Sequence, residues 1–166
     1  MLPQHAPLFE PLKLGKLTLK NRIALAPTYV GMGDERALVT DQTLCYYYGR
    51  ASAGLGLVIV EITGVTGRFA FSPGRGLGAA SDRSIPGLRD LCRVIRWGGS
   101  RAILQLVPGQ GAQALPPAQD RPLVGPSDVA ALLQKEELPK ALNAFKAKTP
   151  ETPRPLSVEE IQGLKG

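Results

Sequence analysis

The stretch GLGLVIVEITG (Gly54–Gly64) decides the fold. Leu57, Val58, Ile59 and Val60 form a continuous apolar run, where a half-buried strand would alternate apolar and polar residues. A run of this kind predicts a strand buried on both faces, the usual state of a parallel strand. Parallel strands need crossover connections, so helices should stand on either side of it in the sequence.

They do. DQTLCYYYGRASAG (Asp41–Gly54) reads as a helix with Asp41 near its start, Gly54 as its C′ residue, and Leu44, Tyr47, Tyr48 and Ala51 near one face. SIPGLRDLCRVIRWGG (Ser84–Gly99) reads as a second, with Pro86 in the first turn, Leu88, Leu91 and Ile95 on one face, and Gly98-Gly99 as the stop. Before the first helix, NRIALAP gives a short apolar strand over Ile23–Ala26. After the second, RAILQLV (Arg101–Val107) gives another. PLKLGKLTLKN (Pro11–Asn21) alternates around Gly15-Lys16 and predicts a small hairpin at the front.

The chain closes on PRPLSVEEIQGLKG (Pro153–Gly166). Ser157 and Glu160 have capping-box spacing, with Ile161 and Leu164 beginning an apolar face, so a third helix should open here. Strand, loop and helix therefore recur three times, with strands beginning near residues 23, 56 and 102. Long loops follow the strands and short returns (AGLG, GGSR) follow the helices. That asymmetry favours the α/β architecture of a (β/α)8 TIM barrel, whose functional loops lie at the C-terminal ends of its strands. A closed barrel takes about 250 residues, so residues 1–166 are expected to be one incomplete barrel domain, its N-terminal portion of about three βα units.

Composition sets wider bounds. Hydrophobic residues at 43% and charged residues at 20% describe an ordinary globular protein. The net charge of +6 is spread along the chain without a dense basic block or interleaved aromatics, which argues against nucleic-acid binding. No apolar run is long enough to span a membrane, and MLPQHAPLFEPLK lacks the layout of a secretory signal, so a cytoplasmic location is expected. Cys45 and Cys92 form no metal motif and are expected to be reduced, buried thiols. His5 stands in an N-terminal tail expected to be mobile, and it is the only histidine, so any mechanism that needs one in a folded site must find it outside this chain.

A few residues could carry chemistry. GRGLGAA (Gly74–Ala80) is glycine-rich but is not set directly between a strand and a helix, which argues against a phosphate cradle. Glu61 at the end of the best strand is either a base or ligand, or a polar anchor for neighbouring loop amides. Gln105 interrupts an apolar strand. It is either a satisfied core amide or a donor–acceptor fork for a planar ligand, and its position beside other strand ends favours the second.

LFEPLKLGKLTLKNRIALAPT (Leu8–Thr28), GLGLVIVEITGV (Gly54–Val65), SIPGLRDLCRVIRWGGSRAILQL (Ser84–Leu106), and PSD (Pro126–Asp128) followed by LSVEEIQ (Leu156–Gln162) resemble the N-terminal part of the Old Yellow Enzyme family. The likeness leans toward its bacterial ene-reductases and 2,4-dienoyl-CoA reductases and covers nearly the whole chain apart from residues 129–152. It implies an FMN-dependent oxidoreductase that carries hydride from NAD(P)H to the β-carbon of an alkene conjugated to a carbonyl, in a small unsaturated carbonyl compound or an enoyl-CoA. It also implies that Pro27, Thr28 and Tyr29 pack near the flavin's N5 and O4 edge, that Ile62 contacts the ring, and that Gln105 hydrogen-bonds the pyrimidine edge. No catalytic residue and no metal ligand is assigned within the chain. The carbonyl-polarising histidines, the phosphate-binding strands and any iron–sulfur cysteines would belong to parts of the barrel after Gly166.

Two departures from the family pattern stand out. VPGQG (Val107–Gly111) replaces a His-x-Gly-Arg run, and Ile62 replaces a smaller residue. They keep alternatives open: a flavin barrel acting on amines or acyl-CoA thioesters, or a non-catalytic subunit or pseudo-enzyme with this fold. The chain alone is expected to be inactive, and an oligomer is compatible with it. Residues 129–152 are expected to form a loop insertion broken at Pro139.

Overall fold

The short hairpin comes first. β1 (Leu12–Leu14) and β2 (Leu17–Leu19) pair antiparallel about Gly15-Lys16, with Leu12 opposite Leu19 and Leu14 opposite Leu17. Ahead of it, where the sequence reads as a tail, the chain turns. Pro3–Phe9 is a 3-10 turn that begins at a proline, and Leu8 O accepts a hydrogen bond from Arg22 N at 2.9 Å. Pro3 and Pro7 hold their own φ near the helical range, which favours the turn. His5 lies in it, exposed.

The computed structural model describes residues 2–65, 75–108, 124–125 and 154–163. They belong to two compact units, Met1–Gly67 with Pro73–Val107, and Arg68–Ser72 with Pro108–Gly166. The expected insertion at 129–152, its break at Pro139, and Gly109–Gly111 lie outside the described residues.

In the first unit a parallel sheet is built around β4 (Leu57–Gly64). β3 (Ala24–Leu25) pairs with its first residues, Ala24 opposite Leu57 and Leu25 opposite Val58. β6 (Arg101–Val107) runs along the whole of its other edge. One strand escapes the sequence reading. β5 (Leu77–Gly78) pairs parallel with Thr63 and Gly64 at the end of β4, within what reads as a glycine-rich loop. Leu77 accounts for it, because its side chain is buried in the core.

α1 (Asp41–Ala51) and α2 (Ile85–Trp97) cover one face of this sheet. Tyr47, Ala51, Val58, Val60, Leu77, Leu91 and Ile95 make the core between them. β4 is buried along most of its length, as its apolar run requires. α1 starts from Thr40, whose hydroxyl accepts from Thr43 N while Thr43 Oγ1 accepts from Thr40 N. Leu88, Leu91 and Ile95 do face inward on α2. On α1 the expected face is rotated slightly: Thr43, Tyr47 and Ala51 are buried, whereas Tyr48 is 49% exposed. The N-cap pair turns Thr43 inward, and Tyr48 lies one residue past Tyr47, about 100° around the helix.

Cys45 and Cys92 are likewise exposed free thiols, not the buried ones expected. Cys92 follows Leu91, which holds the inward position, and so falls off the buried stripe. α2 stops through a Schellman arrangement in which Gly99 N donates to Arg96 O at 2.9 Å and Ser100 N to Ile95 O at 3.2 Å. Gly99 at φ +84° adopts the left-handed conformation this needs. Gly54 is also left-handed, but the helix cap is Ser52, so it falls one residue beyond the expected C′ position.

The second unit shows β7 (Val124–Gly125) parallel to β8 (Arg154–Pro155), then α3 (Val158–Gly163). The capping box is formed as the spacing predicts: Glu160 N donates to Ser157 Oγ at 3.2 Å, and Ser157 N to Glu160 Oε2 at 2.9 Å. Arg154 adds a two-point ion pair to the same carboxylate, 2.7 Å from its Oε1.

Candidate functional site

The C-terminal half of β4 departs from regular pairing at one residue. Up to Val60 each residue has a partner on β6, with Ile59 opposite Ile103 and Val60 opposite Leu104. The register then skips Glu61, and Ile62 faces Gln105. This is a β-bulge, in which the extra residue is left out of the ladder. Its consequence for the side chains is simple. Val58 and Val60 belong to the core under the helices, so Ile59 and Ile103 point to the opposite face. With the extra residue inserted, Ile62 joins that opposite face beside Gln105, and Thr63 turns to the buried side.

Two of the residues marked out by the sequence are thus lateral neighbours in the sheet. Within this chain Gln105 is exposed on the sheet face away from the helices. Its amide offers a donor and an acceptor next to the partly buried, apolar Ile62.

Glu61 itself is fully buried. Its backbone N donates to Tyr47 Oη at 2.8 Å in place of a ladder bond. Its carboxylate reaches the loop after β3, where Oε2 accepts from Val30 N at 3.0 Å and from Gly31 N at 3.4 Å. Of the two sequence readings of Glu61, the structure favours the anchor for loop amides. Oε1 has no hydrogen-bond partner among the described residues. Tyr47 is a residue that sequence reasoning missed as part of this arrangement. A tyrosine on a buried helix face needs a partner for its hydroxyl, and that was the available signal.

Pro27, Thr28 and Tyr29 therefore run into the segment pinned by Glu61. Pro27 is half-buried, and Thr28 and Tyr29 are exposed. Thr28 Oγ1 makes a long 3.4 Å contact with Ala26 O. The Tyr29 ring packs beside Gly31, where an added Cβ would lie 3.3 Å from it. Burial and the neighbouring Glu61 carboxylate raise the Tyr29 phenol above its ordinary value, against a backbone hydrogen bond with Arg75. Burial also raises the Tyr47 phenol, to beyond the usual range. The loop is braced further on, where Met32 O accepts from both Thr40 Oγ1 (2.6 Å) and Thr43 Oγ1 (2.9 Å).

Burial pushes the Glu61 carboxyl up from its ordinary value, and the Val30 and Gly31 amides only partly offset this. The native state then holds a proton that the unfolded chain has released, so stability falls as pH rises above about 4.5 toward the native pKa. Glu61→Gln has no such titration. Melts across pH 4.5–8 should therefore show the variant gaining on the parent as pH rises, with the gain levelling off once the native carboxyl has ionised. A pH-independent difference would contradict the assignment.

Among the described residues there is no group of three or more His, Cys, Asp or Glu side chains that could hold a metal ion, and no helix long and apolar enough to cross a membrane.

Comparison with known proteins gives a family and a fold. The model of the NADH:flavin oxidoreductase / NADH oxidase family matches residues 7–165. The chain is 34% identical over 155 residues to a probable NADH-dependent flavin oxidoreductase of Bacillus subtilis, covering 87% of this chain and 41% of that protein. It is 34% identical over 126 residues to an NADPH dehydrogenase of Listeria monocytogenes, covering 74% and 35%. The Old Yellow Enzyme from Pichia sp. superposes with a TM-score of 0.70 at 28% identity, covering 96% of this chain and 40% of that one. The chain thus spans about two-fifths of the length of these relatives, and its sheet and helices are part of the Old Yellow Enzyme barrel. With a family match across almost all of its residues, this chain belongs to the NADH:flavin oxidoreductase / NADH oxidase family.

Proposed function

We propose that this chain forms the first strands of an FMN-binding barrel in an ene-reductase, with Pro27, Thr28, Tyr29, Ile62 and Gln105 as its contribution to the flavin site. The observation that carries this reading is the Ile62–Gln105 pair, an apolar side chain and an exposed amide side by side on the sheet face away from the helices. That donor set fits a flat heteroaromatic ring. An amide matches an edge of alternating N–H and C=O groups, and an isoleucine covers a ring face without competing for hydrogen bonds. FMN, when bound, supplies hydride chemistry between a nicotinamide and an alkene conjugated to a carbonyl.

The residues of this chain would then bind and orient. Gln105 fixes the ring's rotation, Ile62 excludes water from one face, and the Pro27–Tyr29 backbone borders it. The names of the relatives, NADH-dependent flavin oxidoreductase and NADPH dehydrogenase, support a nicotinamide as the electron source. Small unsaturated carbonyl compounds or enoyl-CoA esters are the substrate class. The chain offers no imidazole near these residues, since its one histidine is His5 in the N-terminal turn. Groups that polarise the carbonyl would come from other strands of a complete barrel.

The test is to purify the protein that carries this chain with FMN and follow NADH and NADPH oxidation with and without 2-cyclohexenone under anaerobic conditions. Enone-dependent oxidation is expected. Residues 1–166 alone should neither retain FMN stoichiometrically nor support the reaction. Oxidation that ignores the enone, or a yellow, active 166-residue chain, would overturn the respective part of this reading.

A further inference from the structure

Glu61 is set apart from every other acid among the described residues. It is the only one wholly buried, it is left out of the ladder, and it reaches across to a different strand's loop. We propose that Glu61 is the positioning residue of the site: its bulge places Ile62 beside Gln105, and its carboxylate clamps the loop that carries Pro27–Tyr29 next to that pair. The proposal rests on the flavin reading for what is positioned, but the clamp can be tested without it.

The bulge at residue 61 sets β4 against β6, and the Glu61 carboxylate ties β4 to the loop after β3. Were the ladder regular through this point, Gln105 would face Glu61 and Ile62 would turn toward the helices, because a one-residue slip exchanges the faces of a strand. The slip is held open by Tyr47, whose hydroxyl takes the Glu61 N–H that the ladder leaves unused. The carboxylate then fixes the other partner. Val30 and Gly31 are loop residues with no strand pairing of their own, and both direct their N–H groups at Oε2. Tyr29 precedes them directly, and its ring rests against Gly31. Movement of the carboxylate would therefore carry Tyr29 with it.

The role is separable from general stability because the clamp needs only an acceptor. Glu61→Gln keeps a carbonyl oxygen at the same reach. Glu61→Leu keeps the bulk and loses the acceptor. In the protein that carries this chain, amide exchange at Val30 and Gly31 should accelerate at least tenfold in Glu61→Leu and little in Glu61→Gln, while Val58 and Val60 in the same strand stay protected. FMN affinity should fall at least tenfold and the flavin midpoint potential should shift in Glu61→Leu alone.

Should Glu61→Leu fail to fold, Glu61→Asp, one methylene shorter, should give the same pattern of exchange. Unchanged exchange at Val30 and Gly31 would overturn the clamp. Faster exchange with unchanged FMN affinity and potential would overturn positioning of the site. If the parent protein binds no FMN, the flavin reading fails, and the exchange data still decide the clamp.

Discussion

Replacing Gln105 with leucine, in the protein that carries this chain, will weaken FMN binding about 5- to 150-fold. That corresponds to the roughly 1–3 kcal/mol expected when a polar partner loses its hydrogen bond in a buried site. Leucine is similar in size to glutamine, so contact area is kept and the change is confined to hydrogen bonding. The flavin potential should shift as well, because an amide at the ring's polar edge interacts differently with its oxidised and reduced forms. Fluorescence titration of FMN gives the affinity, and reductive titration against a reference dye gives the potential. Unchanged values for both would mean that Gln105 does not meet the flavin.

The largest expected loss of stability falls on a residue with no side chain. Gly56→Ala should destabilise the protein by about 3 kcal/mol, at the upper end of the usual overpacking range. A Cβ there would collide with the backbone oxygen of Asn21 and lie 2.6 Å from its Oδ1. Asn21 cannot step aside easily. Its Nδ2 donates to Gly54 O at 2.7 Å, and its Oδ1 accepts from Ile23 N at 3.1 Å. Gly56 also lies between strands, with its N–H bonded to Ile23 O and its C=O accepting from Arg101 N, both at 3.0 Å. Displacing it would disturb the start of β3, β4 and β6 together. Gly49→Ala is the control. Gly49 lies in α1 with open space where a Cβ would go, so alanine should stabilise by about 0.5–1 kcal/mol. Urea unfolding of the two variants measures both signs, and a neutral Gly56→Ala would show that this corner is looser than its hydrogen bonds imply.

The parallel sheet was legible because β4 is apolar without alternation, and in so short a segment that pattern calls for burial on both faces. Both long helices were legible from their apolar spacing and their ends, and the third from its capping box. Residues that depend on a partner far along the chain were harder. Tyr48 looked inward from its spacing and the two cysteines from their apolar neighbours, and only the rotation of each helix against the sheet placed them at the surface. β5 was hidden because two residues carry no periodicity, and their pairing with Thr63 and Gly64 is a tertiary event.

The candidate site divides in the same way. Gln105 stood out as an amide in an apolar strand, and Glu61 as an acid ending one. That the two strands meet with a skipped residue, which sets Ile62 rather than Glu61 beside Gln105, cannot be read from either strand separately. Glu61 could be read as an anchor for loop amides, but not that those amides are Val30 and Gly31, about thirty residues earlier in the chain.

The central claim is that Pro27–Tyr29, Ile62 and Gln105 form one surface that meets FMN. Nuclear magnetic resonance of the isotopically labelled protein that carries this chain, during FMN addition, tests it most directly. The side-chain amide of Gln105 and the backbone amides of Tyr29 and Ile62 should shift together, saturating at one FMN per chain, while the exposed end of α2 around Trp97 stays unmoved. Saturable FMN binding that leaves Gln105, Tyr29 and Ile62 unshifted would place the flavin elsewhere and contradict the account.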